Sequence, residues 1–82
     1  MSNMVTVSGE VRKPGHYPLM PGITVCQIVE MAGGFTDYAT GIIVMRGGQR
    51  VVFVTGRAWQ NQTDTWNIQL RDKDAVFIRH TD

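Results

Sequence analysis

Apolar and polar residues alternate from Met4 to Val11, with Val5, Val7, Gly9 and Val11 on one side and Thr6, Ser8 and Glu10 on the other. A period of two predicts a half-buried strand. In Lys13-Pro14-Gly15-His16, proline precedes glycine, which suits the central positions of a type II turn because glycine accepts the positive φ needed at the second. His16 to Met20 then reads as a short return strand with Tyr17 and Leu19 on one face, ended by Pro21-Gly22. The period changes at Thr24-Val25-Cys26-Gln27, which matches a capping box, with Ile23 and Ile28 at the staple positions. Val25, Ile28, Val29 and Ala32 form one helical stripe, and Gly33-Gly34 supplies a left-handed exit. A helix this short does not persist alone, so its stripe is expected to lie on a sheet.

After an irregular stretch from Phe35 to Gly41, Ile42–Arg46 and Arg50–Val54 are β-branched runs around a Gly47-Gly48-Gln49 turn and predict a hairpin. Thr55 to Asn67 is polar apart from Ala58, Trp59 and Trp66 and fits no element. Ile68–Leu70 and Ala75–Arg79 read as strands, separated by an Arg71-Asp72-Lys73-Asp74 turn. The order is hairpin, helix, hairpin, irregular segment, terminal strand. It predicts an α+β fold, a small mixed sheet packed on one main helix, and it is the order of a β-grasp; periodicity alone leaves other small α+β folds open.

At 82 residues the chain is expected to be one domain. Eight Lys and Arg against seven Asp and Glu give a net charge of +1, too balanced for the electrostatic footprint of a nucleic-acid binder. The single cysteine, Cys26, excludes an internal disulfide and any zinc or iron–sulfur site built on paired thiolates. No apolar run is long enough to insert in a membrane, and no signal peptide is read in these residues. His16 and His80 have no carboxylate or cysteine at ligand spacing, so both read as surface residues. Cys26 stands in the first helical turn with no histidine near it in sequence to act as a base. Gly33-Gly34 and Gly47-Gly48 do not sit between a strand and a following helix as phosphate cradles do. No catalytic, metal-binding or cofactor-binding residue is therefore assigned, and the chain reads as a non-enzyme.

Val7-Ser8-Gly9-Glu10-Val11-Arg12-Lys13-Pro14-Gly15-His16-Tyr17, Met20-Pro21-Gly22-Ile23-Thr24-Val25, Ala32-Gly33-Gly34-Phe35-Thr36 and Asn67-Ile68-Gln69-Leu70-Arg71-Asp72-Lys73-Asp74-Ala75-Val76 occur in that order. Together they resemble the soluble-ligand-binding β-grasp domain, SLBB. Within them Gly9, Pro14, Gly15, Pro21, Gly22, Gly33, Gly34 and Asp74 are structural positions. The chain departs from the pattern at Lys73, where the family usually has glycine before the aspartate. The resemblance implies a β-grasp piece of a larger polysaccharide export protein of the bacterial outer membrane, working in the periplasm around a ring or channel that carries capsule or exopolysaccharide.

Six residues are candidates for ligand or subunit contact. Arg12 and Lys13 beside Tyr17, with Arg46 and Arg50 flanking the hairpin turn, read as basic edges that attract an acidic polymer or as solvated strand ends. Trp59 lies on a polar segment suited to stacking on a sugar, or else lids a small core; Trp66, abutting the Ile68 run, is the stronger core candidate. The expected function is a non-catalytic interaction module packing against neighbouring domains or subunits of the export protein, with polysaccharide as a further partner. The alternative is a module that holds a soluble sugar or cofactor. A concave cavity with convergent polar groups would favour the alternative, and a filled core with an apolar exposed edge would favour assembly.

Overall fold

The structure, a computed structural model, describes residues 3–56 and 59–80. Strands β1 (Met4–Gly9) and β2 (Gly15–Pro18) precede helix α1 (Val25–Met31); strands β3 (Ala39–Arg46) and β4 (Gln49–Thr55) follow, then a 3₁₀ turn (Trp59–Gln62), helix α2 (Thr63–Trp66) and strand β5 (Ala75–His80). The five strands form one mixed sheet in the order β2-β1-β5-β3-β4, with β1 and β5 parallel and all other neighbours antiparallel. This is an α+β fold, as the pattern of the chain predicts.

Strand alternation decides which face is covered. Val5 and Val7 of β1, Ile42 and Val44 of β3, and Val76 and Ile78 of β5 are buried in one cluster with Val25, Ile28 and Val29 of α1. At its N-terminus the helix is stopped by Thr24, whose N–H donates to Gln27 Oε1 at 3.0 Å, and Ile23 and Ile28 are both buried at the staple positions. At its C-terminus the Gly33 N–H donates to Glu30 O at 3.0 Å and the Gly34 N–H to Val29 O at 2.9 Å, the bond pair of a Schellman motif. Both glycines carry it, with φ of 88° and 89°.

The first hairpin differs from its sequence reading. β1 ends at Gly9 rather than Val11, and Val11 bridges Phe35 instead. Gly15 has φ 157°, far from the value near +80° that a type II turn requires, and it opens β2 rather than a tight reversal. The residues between the strands lie against the helix exit, where Arg12 N–H donates to Gly34 O and Lys13 N–H to Ala32 O at 3.2 and 2.9 Å. Those helix-end carbonyls need partners, and the loop meets that need by staying wide.

The second hairpin turns on Gly47 and Gly48 alone, with φ of 60° and 81°, as a two-residue turn with both centres left-handed demands. A register shift at Val44/Met45 leaves Val51 as an extra residue in β4. Ile68 to Leu70 is not a strand of the sheet. Gln69 makes an isolated bridge to Thr24, while Val25 N–H donates to Ile68 O and Leu70 N–H to Ile23 O. The backbone bonds of this segment go to the helix entry.

Candidate functional site

Arg12 and Lys13 are exposed in the first loop, and the Tyr17 hydroxyl donates to the Lys13 carbonyl oxygen, so these three candidates do gather at one place. It lies by β2, at the opposite edge of the sheet from β4, which carries Arg50. The six sequence candidates do not form one site.

Arg46 is engaged within the fold. Its Nε donates to Asp74 Oδ1 at 3.0 Å, its terminal nitrogen to Asp74 Oδ2 at 2.8 Å and to Gln69 O at 3.2 Å. Arg71 N–H also donates to Asp74 Oδ2 at 2.8 Å. The Asp74 side chain is wholly buried and that of Arg46 about a quarter exposed. Burial pushes the Asp74 carboxyl up, but the bonds from Arg46 and from the Arg71 backbone outweigh it and hold it below its ordinary value. The pair therefore ties the end of β3 to the turn before β5. Because the folded carboxyl is the stronger acid, its contribution is complete above the ordinary aspartate range and is lost as the pH falls through the lowered folded value. Asp74→Asn is expected to cost about 2 kcal/mol at neutral pH, with less difference from the parent in acid; denaturant melts at both pH values check this. An undiminished gap in acid would remove the ionic explanation.

In the same turn Lys73 has φ 67°. It occupies, in left-handed geometry, the place where the resembling family has glycine. The departure at Lys73 thus changes the residue and keeps a backbone shape that glycine adopts without strain. Lys73→Gly is expected to raise stability by about 0.5 kcal/mol, a thermal shift of a few degrees upward; a lower melting point would show that the lysine is not strained.

Trp59 corrects the sequence reading of a surface contact. It is only 3% exposed, with its Nε1–H donating to Ala39 O at 3.2 Å. Its ring meets Phe35 edge-on at 4.8 Å between centroids and Trp66 at 5.6 Å, while Trp66 Nε1–H donates to Trp59 O. A ring so enclosed and bonded is unavailable to stack on a sugar. Trp66 is a core residue, as its place beside Ile68 suggests.

The exposed apolar chemistry lies elsewhere, on the sheet face turned away from α1. Ile43 is registered with Phe53 of β4 on one side and Phe77 of β5 on the other, giving a row across three strands. Phe53 is 47% exposed and Phe77 40%. The bulge lets Arg50 and Val51 both reach this face, and the Arg50 guanidinium lies 4.7 Å from the Phe53 ring centroid. Arg79 approaches the same ring at 5.7 Å, and the residue facing it on β3 is Gly41, which has no side chain to obstruct it. None of the five strands contains a carboxylate. Phe53, Phe77, Ile43 and Arg79 were absent from the sequence candidates; the signal was their shared parity, outward wherever Val52, Val76 and Ile78 point in.

On the helix side, Met20, Pro21, Ile23, Gln27, Glu30 and Met31 line an open groove of about 440 Å³. Cys26 lies nearby, half-buried, and burial with the Glu30 charge pushes its thiol pKa up, away from the thiolate that a nucleophile requires. Among the described residues no group of three His, Cys, Asp or Glu is placed to hold a metal ion, and no helix is long and apolar enough to cross a membrane.

A small α+β unit showing an aromatic, cationic sheet face and an open groove has the character of a binding or interaction module. Residues 4–55 match the SLBB domain, and the chain belongs to that family. SLBB domains are binding and interaction modules and are found in polysaccharide export proteins. No curated protein matches the chain. The matched stretch ends before β5, yet β5 lies between β1 and β3, so the sheet is complete only with residues 75–80.

Proposed function

We propose that the 82 residues form a single β-grasp module of a bacterial polysaccharide export apparatus, located in the periplasm as part of an outer-membrane-associated protein. It acts without catalysis, by packing against neighbouring domains or subunits. The strand order β2-β1-β5-β3-β4, with α1 in the crossover from β2 to β3, is that of a β-grasp and supports the fold half of this reading. The observation that carries the function is the Phe53–Ile43–Phe77 row. Large apolar groups are presented on an exposed sheet face, beside arginines, rather than lining an enclosed cavity. Aromatic residues, methionine and arginine are the types enriched where proteins meet. The alternative, a soluble-ligand site, has less support: among the described residues the Met20–Met31 groove is open and offers Gln27 and Glu30 as polar side chains, and a smaller groove beside it offers Asn3.

The test has two arms. Calorimetric titration with glucose, glucuronate, ATP, NAD and flavin mononucleotide is expected to show no binding at micromolar ligand. Fractionation of cells producing the tagged parent protein is expected to place it with periplasmic and outer-membrane material. Micromolar affinity for any of those small molecules, or a cytosolic parent, would overturn the reading.

A further inference from the structure

The assembly reading leaves open what covers the exposed sheet face, and two features of this chain are complementary. One is the outer face, where Arg50 and Arg79 both lie against Phe53 with no described carboxylate paired to either. Two like charges gathered at one aromatic ring, on a sheet that carries no acid, make a site for an incoming anion. The other is the groove on the solvent side of α1, which the exposed Met20 and Met31 line together with Glu30. No described cation pairs with that carboxylate. Methionine suits aromatic partners because its flexible thioether adapts to ring edges.

These surfaces lie on opposite sides of the molecule. The outer face is turned away from α1, whereas Gln27, Glu30 and Met31 face outward from the helix whose other side carries the buried Val25, Ile28 and Val29. A two-fold dimer through the outer face would set arginines against arginines with no acid between them. A heterologous contact has no such conflict, because each copy offers both halves of the pair.

We propose that the Phe53–Ile43–Phe77 face of one copy docks head to tail on the Met20–Met31 groove of a second, with Glu30 of the second copy meeting Arg50 and Arg79 of the first. This rests on the assembly reading and names its surfaces. An acidic glycan is the lesser fit: Ser8 opposite Phe77 and Thr55 two residues along from Phe53 add hydroxyls at the margins, but the Phe53–Ile43–Phe77 row between them is apolar and leaves sugar hydroxyls unbonded.

Sedimentation of the 82-residue chain from micromolar to millimolar concentration tests the proposal, with circular dichroism confirming that each variant is folded. Self-association is expected, and E30R alone or R50E/R79E alone should weaken it about tenfold or more, as loss of a close interfacial charge pair implies. Mixing E30R with R50E/R79E should restore association as alternating, equimolar assemblies, because the reversed face meets the reversed groove and the intact face of one variant meets the intact groove of the other. A parent chain still monomeric at millimolar concentration overturns the proposal, and so does a mixture that fails to associate. Self-association untouched by either charge variant removes this pair of surfaces and leaves the assembly reading standing. Micromolar binding of a small molecule to a strict monomer removes both. Binding of oligogalacturonate to a monomer, abolished in R50E/R79E, reassigns the face to an acidic glycan and overturns the head-to-tail contact.

Discussion

Gly9→Ala is expected to lower the melting temperature by roughly 15 °C or more, equivalent to about 3 kcal/mol in a chain of this size. Gly9 ends β1 with φ 87°, a conformation that L side chains seldom adopt. It also stands against Ile78 of β5. A β-carbon added there would be 2.9 Å from the Ile78 carbonyl carbon and closer still to its oxygen. That oxygen accepts the Glu10 N–H at 2.9 Å, so it has a partner to keep as well as a clash to avoid. Relief requires β1 and β5, the parallel pair in the middle of the sheet, to move apart. A variant melting within a few degrees of the parent would show that this close approach is not needed.

Ile28→Asp is expected to abolish folding. Ile28 is fully buried, and truncating such a residue costs about 2 to 5 kcal/mol before any carboxylate is introduced. Burying an unpaired charge adds several kcal/mol, against a total stability of roughly 4 to 12 kcal/mol for a domain of this length. Met31→Asp, on the exposed side of the same helix, is expected to remain folded with a change of about 0.5 kcal/mol. Chemical denaturation of the pair separates them, and a cooperative, parent-like transition for Ile28→Asp would contradict the buried stripe.

The helix and the second hairpin were legible because their information is local. The Thr24–Gln27 box, the stripe of Val25, Ile28 and Val29, and the glycine pairs each announce an element within a few residues. What escaped was decided at long range. Whether Val11 extends a strand depends on Phe35, and whether Ile68–Leu70 pairs with the sheet depends on the free backbone groups at Ile23 to Val25. Trp59 read two ways, as a ring for stacking on a sugar or as a lid on the core, because its neighbours in sequence are polar; Phe35 and Ala39, about 20 positions away, and Trp66 enclose it and decide for the core. The same limit applied to the surface. Arg46 and Asp74 are separated by 28 positions, so sequence offered Arg46 as an exposed contact where structure spends most of its charge on an internal partner. Arg79 and Phe53 meet only because β5 and β4 flank β3.

The aromatic cluster also gives the molecule a built-in optical reporter. Trp59 and Trp66 are the chain's two tryptophans, and both lie within that one cluster, away from the Phe53 face and the Met20 groove. Emission excited in the indole band therefore comes from the interior alone. Its wavelength follows the wetting of these two rings as the chain opens, and at 3% and 2% exposure they are shielded from ionic quenchers such as iodide in the native state. Rings 5.6 Å apart and inclined at 39° are also close enough for their transition dipoles to couple, which marks the near-native packing of residues 59–66 in circular dichroism. Charge reversals at Glu30, Arg50 or Arg79 can thus be followed without an added label, and a spectrum that stays fixed while sedimentation changes separates altered contacts between copies from altered folding within one.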